Sequence, residues 1–288
     1  MRAMPVPNRL GVVATLIAIG LFASSMLALP ARDVGLDGLS VTLSGNTLLG
    51  FVLVGLAWTG TDAIMRDRPQ IREKPVDLLI LPCILPAALT AAAWALLAQP
   101  DTIGTKIVGT AGSAGLLAIL ILLEYHAIDA KGRWRVAMQF AQHTMSYLTA
   151  TLLYLAIRLS MSTNLTATLA VVSGSAVLGW RLLADEERLR QRVPAAHPAG
   201  PDHGPLAALA QQVWLWVLGL ALLLGLTSWL FGLWVSSPLA HSLVLVVFLY
   251  VGAGITRHFH VGELTQRLAL EYLIVALVVL VLLLSWAR

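Results

Sequence analysis

The chain has 288 residues, of which 58% are hydrophobic and only 12% are charged, and its mean hydropathy is +0.81. A water-soluble protein of this length could not cover its surface with so few polar side chains, so the composition excludes a soluble globular protein and indicates a membrane protein. The formal net charge of +4 comes from Lys and Arg residues spread over separate turns. Because these charges are not gathered on one face, we expect no nucleic-acid partner.

Hydrophobic runs long enough to cross a bilayer recur nine times along the chain. A helix rises about 1.5 Å per residue and the hydrocarbon core is about 30 Å thick, so one span needs about 20 mostly apolar residues. The predicted spans cover residues 10–29, 45–65, 77–98, 106–126, 136–158, 164–183, 211–234, 239–256 and 268–287. The sequence therefore predicts an all-α fold, a polytopic transmembrane helical bundle of about nine spans.

The first of these spans has a basic start followed by an apolar run and small residues, as a secretory signal does. Its apolar run continues as far as Leu29, which is longer than most signal cores. We therefore expect an uncleaved first helix.

The orientation follows from the basic residues of the loops, since cytoplasmic loops retain Lys and Arg. With the N-terminus inside, 15 of the 19 Lys and Arg residues fall in cytoplasmic segments. The four on the outer side are Arg32, Lys106, Arg158 and Arg288. Eight tryptophans also lie close to predicted helix ends, at the depth that the indole ring prefers. We expect a cytoplasmic N-terminus and an external C-terminus.

One stretch of low complexity interrupts the spans. It is ADEERLRQRVPAAHPAGPDHGP, residues 184–205, and its first half continues the sixth helix before Pro194 and the later prolines end it. No soluble domain fits on either side of it. We therefore expect a single transmembrane domain, residues 1–288, with a cytoplasmic Pro-rich linker at 184–205 between spans 6 and 7.

The fifth predicted span carries a polar stripe. At 100° per residue, one face about 140° wide holds Gln139, Gln142, His143, Ser146 and Tyr147. Lipid offers no hydrogen bonds to such groups, so this face must point inward and we expect this helix to be the most buried of the bundle. Two explanations stay open. The stripe forms hydrogen bonds between helices, or it binds a ligand or lines a permeation path.

A second polar group is predicted at the cytoplasmic boundary, and it comprises Asp62, Glu124, His126 and His258. Asp62 has Arg66 one turn later as a partner. Glu124 and His126 are two residues apart and so about 200° apart on a helix, which predicts different surroundings for two solvated side chains. His258 is expected in a solvated turn.

Several chemistries are excluded by the motifs that the sequence lacks. It contains no P-loop, no HExxH and no GxSxG. The one cysteine, Cys83, allows neither a disulfide within the chain nor a cysteine metal cluster, and we expect it to be a small buried side chain. We assign no catalytic residue and no metal site, and no cofactor is identified.

Two consecutive segments carry a resemblance to a known family. QVWLWVLGLALLLGLTSWLFGLW is followed by FLYVGAGITRHFHVGELTQRLALEY, and the fourth span ends in Glu-Tyr before an Arg-rich turn. Over about residues 120–280 the chain resembles a family of uncharacterised polytopic membrane proteins of filamentous green bacteria. The resemblance implies a helical bundle without an assigned activity, so it assigns no functional residue.

These observations favour a non-catalytic protein of the bacterial inner membrane, a structural or accessory component of a membrane complex. Its expected partners are the lipid bilayer and other membrane-protein subunits. One alternative is a transporter of a small or lipid-like molecule along the stripe of the fifth span. A second alternative is a lipid-modifying enzyme with its site at the cytoplasmic boundary.

Overall fold

The computed structural model describes residues 6–27, 31–36, 39–67, 77–99, 102–128, 132–191, 205–234, 237–261 and 265–286. Within them lie nine helices and two strands: α1 Val6–Met26, β1 Ala31–Leu36, β2 Leu39–Ser44, α2 Gly45–Met65, α3 Asp77–Leu97, α4 Ile103–Ala127, α5 Gly132–Ser160, α6 Asn164–Gln191, α7 Pro205–Phe231, α8 Pro238–Val261 and α9 Gln266–Trp286.

The nine helices of the described residues fall on the nine predicted spans. Seven of them, α1 to α4 and α6 to α8, contain segments long and apolar enough to cross a membrane. The helix α5 is not among the seven, because its stripe of Gln, His, Ser and Tyr lowers its hydropathy although its 29 residues exceed the bilayer core in length. The protein is therefore a multi-pass helical membrane protein.

A short hairpin departs from the all-α prediction. The strands β1 and β2 pair antiparallel, from Ala31 opposite Ser44 to Leu36 opposite Leu39. The sequence between them is Asp-Gly, a dipeptide typical of two-residue hairpin connections. Because the prediction rested on runs of about 20 residues, it overlooked two strands of six.

The chain forms two compact units, residues 1–145 and residues 146–288, and their boundary lies inside α5. In the first unit α3 packs against α1, α2 and α4. In the second unit α6 packs against α7, while α8 contacts α6, α7 and α9. The single transmembrane domain stays a prediction. The helix α6 reaches Gln191, as predicted for the first half of the linker, and residues 192–204 lie outside the described part of the chain.

The most buried candidate span is α3, which corrects the prediction for α5. Between Ile80 and Leu97, 67% of the residues are buried, against 22–44% in the other six candidate spans. In α5, by contrast, several side chains are strongly exposed, among them Trp134, Val136 and Phe140. The helix α3 runs without a break through Pro82 and Pro86.

Candidate functional site

Glu124 is the most deeply buried carboxylate among the described residues, and it connects two helices. Only 3% of the residue is exposed. Its Oε2 accepts a hydrogen bond of 3.0 Å from Nε2 of Gln142, which joins the end of α4 to α5. The prediction of a solvated Glu124 was therefore wrong, because the carboxylate is buried and hydrogen-bonded to the side-chain amide of Gln142 on the following helix.

His126 has different surroundings, as its angular distance from Glu124 predicts. It is exposed, and its ring makes an edge-to-face contact of 5.5 Å with Tyr125. Tyr125 in turn packs against the buried Met65 of α2. On α4, a buried carboxylate thus lies only two residues away from a solvent-accessible imidazole.

Asp62 forms the predicted pair with Arg66. Its Oδ2 accepts a hydrogen bond of 2.7 Å from Nε of Arg66, one turn later at the end of α2. This hydrogen bond, followed by the negative charge of Asp62, raises the pKa of the Arg66 guanidinium above its ordinary value. The Arg66 guanidinium therefore stays protonated. The pair lies at the same end of the first unit as a second ion pair, in which Arg9 and Asp67 are 2.7 Å apart.

Cys83 of α3 is fully buried, as predicted. Cys83 lies within electrostatic range of Asp62, Glu124 and Arg66. We call Asp62, Arg66, Cys83, Glu124 and Gln142 the acid cluster. Within the described residues no set of three His, Cys, Asp or Glu side chains is arranged to hold a metal ion. Within the cluster the hydrogen bond between Gln142 and Glu124 joins α5 to α4, while Asp62 with Arg66 at the end of α2 and Cys83 on α3 lie within electrostatic range.

The first part of the α5 stripe lies in the same unit. Gln139, Gln142 and His143 are half-buried, whereas Phe140 and Thr144 on the other side of the helix are exposed. Nδ1 of His143 lies 2.9 Å from the carbonyl oxygen of Gln139, one turn earlier. As a hydrogen-bond donor in this contact, Nδ1 would carry the proton and leave Nε2 as the acceptor. The stripe faces inward here, as its periodicity predicts.

The second part of the stripe belongs to the second unit and leads to His258. Ser146 is buried and Tyr147 half-buried. The Tyr147 ring contacts Tyr250 at 5.6 Å, Tyr250 contacts Tyr272 at 5.8 Å, and Tyr272 contacts His258 at 6.0 Å, all between ring centroids. We call Tyr147, Tyr250, Tyr272 and His258 the aromatic seam. It connects α5, α8 and α9 by the tilted and edge-to-face contacts of packed aromatic rings.

The seam brings together two residues that the sequence assigned to different groups. Tyr147 was predicted in the α5 stripe and His258 at the cytoplasmic boundary. His258 is a residue of the helix α8, half-buried beside Tyr272, and so does not lie in the predicted solvated turn. Gly254 makes this packing possible, because a Cβ there would lie 2.7 Å from the Tyr272 ring.

Three polar residues at the other end of the second unit had no predicted role. His241 is buried, and its Nε2 lies 3.2 Å from Oγ of Ser228. Arg158 is half-buried at the end of α5. For His241 the sequence signal was a histidine inside an otherwise apolar span. Spacing alone could not connect it to Ser228, 13 residues away.

We predict that Glu124→Ala lowers the free energy of unfolding by about 1–2 kcal/mol, because it removes an interhelical hydrogen bond and leaves the Gln142 amide without that acceptor. His126→Ala is the matched control on the same helix, and its cost should stay below about 0.5 kcal/mol because the ring is exposed. Equilibrium unfolding of both purified variants measures the difference. Equal losses in the two variants would contradict the burial of Glu124.

The chain matches a known protein family. A family model described as "Protein of unknown function (DUF5656)" matches residues 24–200. No curated protein and no solved structure matches the chain. The predicted resemblance to an uncharacterised family is confirmed, although the matched residues begin and end earlier than the expected 120–280. The match includes the acid cluster and the α5 stripe, and it ends before α7, α8 and α9.

Proposed function

The chain belongs to the DUF5656 family of proteins of unknown function, and from the geometry of its polar groups we propose that it is a non-catalytic component of a bacterial inner-membrane complex, with a structural or accessory role. The observation that carries this proposal is the bonding of the α5 stripe. Gln142 donates to Glu124 and His143 contacts the Gln139 carbonyl, so protein groups take up polar atoms that a transport path or a catalytic pocket would turn towards a substrate.

The two alternatives have weaker support. A transporter of this size commonly binds its substrate at helices that are broken within the membrane, whereas α3 is continuous through both of its prolines. A lipid-modifying enzyme would use carboxylates and histidines together. Asp62 and Glu124 do converge near Cys83, but His126 is exposed and His258 packs in the aromatic seam of the second unit.

The stripe provides the test between the structural role and the ligand-binding role. We expect His143→Ala to lower the stability of the purified protein by about 0.6–2 kcal/mol, the range of an interhelical polar contact, without releasing any bound molecule. Native mass spectrometry and absorbance spectra of wild type and variant make the comparison. A pigment, haem or lipid that the wild type carries and the variant lacks would favour the ligand-binding alternative instead.

The accessory role has a test of its own. A chain tagged at its native locus and extracted in mild detergent should migrate in an assembly larger than the 30.8 kDa chain. Glu124→Ala should reduce the amount of that assembly more than His126→Ala does, because Glu124 is buried and accepts the hydrogen bond that joins α5 to α4. A wild-type chain that migrates alone under these conditions would contradict a role within a complex.

We further propose that all nine helices cross the membrane, with the N-terminus in the cytoplasm and the C-terminus outside. The half-buried stripe supports α5 as a span, since its polar groups face protein and its Phe140 side is apolar. Two reporter fusions test the topology, one at Asp101 and one at Pro194. They should report opposite sides of the membrane, and reporters on one side would exclude this arrangement.

A further inference from the structure

Arg158 ties together three helix ends in the second unit. It lies in the last turn of α5, and its Nη1 donates a hydrogen bond of 2.8 Å to Oδ1 of Asn164, the first residue of α6. Its Nη2 donates a hydrogen bond of 3.3 Å to the carbonyl oxygen of Gly232, just after α7. Both acceptors are neutral, so the hydrogen bonds position the guanidinium without balancing its charge.

Among the described residues of the second unit, no carboxylate forms an ion pair with Arg158. Neither residues 146–184 nor residues 205–261 contain a single Asp or Glu. The acidic residues of α6 begin at Asp185, about 30 Å from Asn164 along the helix. Glu271 lies near the start of α9, where it pairs with Arg267 at 3.5 Å. A half-buried arginine at a membrane boundary that has no carboxylate partner among the described residues is costly, and such residues commonly mark ligand sites.

His241 is a second polar group beside this arginine. It is 2% exposed, and its Nδ1 has no hydrogen-bond partner among the described residues. It lies within electrostatic range of Arg158. A hydrogen-bonded route also connects the two, since Ser228 contacts His241 through its Oγ and accepts the Gly232 amide at 2.9 Å through its carbonyl. The buried imidazole therefore has one nitrogen without a partner, close to an arginine whose hydrogen-bond acceptors are both neutral.

Helix ends of both signs meet here, since α5 and α7 end at this point, at Ser160 and Phe231, and helix C-termini carry a partial negative charge. The helices α6 and α8, of 28 and 24 residues, both begin here, at Asn164 and Pro238. The N-terminus of a helix carries a partial positive charge and favours anions. The two pairs of helix ends therefore offset one another, and it is Arg158 together with the unpartnered nitrogen of His241 that points to an anionic group as the missing partner.

The depth of this end indicates where the anion comes from. Trp234 is 84% exposed two residues after Gly232, and Trp229 is also exposed. Exposed tryptophans prefer the headgroup level of a bilayer. Lipid phosphates lie at that level, so a phosphate group would meet Arg158 without leaving the membrane interface.

We propose that this end of the second unit binds the phosphate group of a membrane lipid, with Arg158 as its principal ligand and His241 as a neighbouring polar group. The arginine fork matches phosphate oxygens through charge-assisted hydrogen bonds. Under the proposed topology the lipid belongs to the outer leaflet. This inference does not depend on the proposed accessory role, because it rests on a different unit of the chain.

The test measures lipid binding to the whole purified protein in detergent. Phosphatidylglycerol should raise the melting temperature, whereas diacylglycerol with the same acyl chains, which lacks the phosphate, should not. Inorganic phosphate distinguishes the two sources of the anion. If millimolar phosphate alone reproduces the shift, the site takes free phosphate; if it does not, the site takes the lipid.

Variants then assign the site. Arg158→Gln should weaken phosphatidylglycerol binding at least about tenfold, the loss expected for a charge-assisted hydrogen bond. Arg267→Gln removes an arginine of the same unit that already has a carboxylate partner, and it should leave binding unchanged. Arg158→Lys keeps the charge but not the fork, and should give an intermediate affinity even if Arg158→Gln does not fold.

Two results would overturn the proposal. In one, phosphatidylglycerol and diacylglycerol shift the wild-type melting temperature equally, and this comparison needs no variant. In the other, folded Arg158→Gln or Arg158→Lys binds the lipid as tightly as Arg267→Gln does.

Discussion

Tyr154→Ala should lower the free energy of unfolding by about 3–5 kcal/mol, the cost of replacing a buried aromatic side chain by alanine. Tyr154 is the largest of the fully buried side chains, and it lies on the inward face of α5. Its hydroxyl lies 2.8 Å from Oγ of Ser175, which is also fully buried. The substitution therefore opens a cavity between α5 and α6 and leaves the serine hydroxyl without this partner.

Tyr154→Phe separates the two contributions. It keeps the ring and removes only the hydrogen bond, so the expected loss is about 1 kcal/mol. Equilibrium unfolding of the two purified variants, with a mild denaturing detergent as the perturbant, gives both values. If Tyr154→Phe costs as much as Tyr154→Ala, the ring is not packed and the contact with Ser175 carries the whole effect.

The positions of the helices were predictable because the bilayer sets their length independently of any partner. A run of about 20 mostly apolar residues is needed where a helix crosses, and seven of the nine helices of the described residues contain such a run. The bilayer sets no such length for the hairpin Ala31–Ser44. It lies between two spans, where only the local Asp-Gly signal was available.

Burial could not be predicted from polarity in the same way. In water the most apolar helix is usually the most buried, but lipid is as apolar as a protein core and removes that driving force. The number of neighbours does not decide burial either, since α1 also packs against three helices and is the least buried of the seven candidate spans, while α3 is the most buried. The polar α5 was expected in that place, yet its exposed face carries Phe140 and other apolar side chains.

The candidate site consists of contacts between residues that are far apart in the sequence, so it could not be predicted in the same way. Glu124 and Gln142 are 18 residues apart, and helical periodicity says which face each occupies but not which face it meets. Helical periodicity did predict that Glu124 and His126 have different surroundings, and it did predict that the stripe faces inward. It could not connect Tyr147 to His258, since two tyrosines from α8 and α9 lie between them.

Gly50→Val should lower the free energy of unfolding by up to about 3 kcal/mol, because it forces extra atoms into a packed contact between α2 and α3. A Cβ at position 50 would lie 2.6 Å from Cε2 and 2.8 Å from Cδ2 of the Trp94 indole. A rigid ring cannot move aside as a flexible side chain can, so the two helices must separate.

Gly55→Val is the matched control, on the same helix and with the same added atoms. Gly55 is exposed, and a Cβ there would meet nothing within 4 Å. Its substitution should change the stability by no more than about 0.5 kcal/mol, as at other exposed positions. The difference between the two variants in equilibrium unfolding therefore measures the α2–α3 contact free of any change in helix propensity. If both variants are equally stable, Trp94 does not pack on Gly50, and the first unit must hold α3 through its other neighbours, α1 and α4.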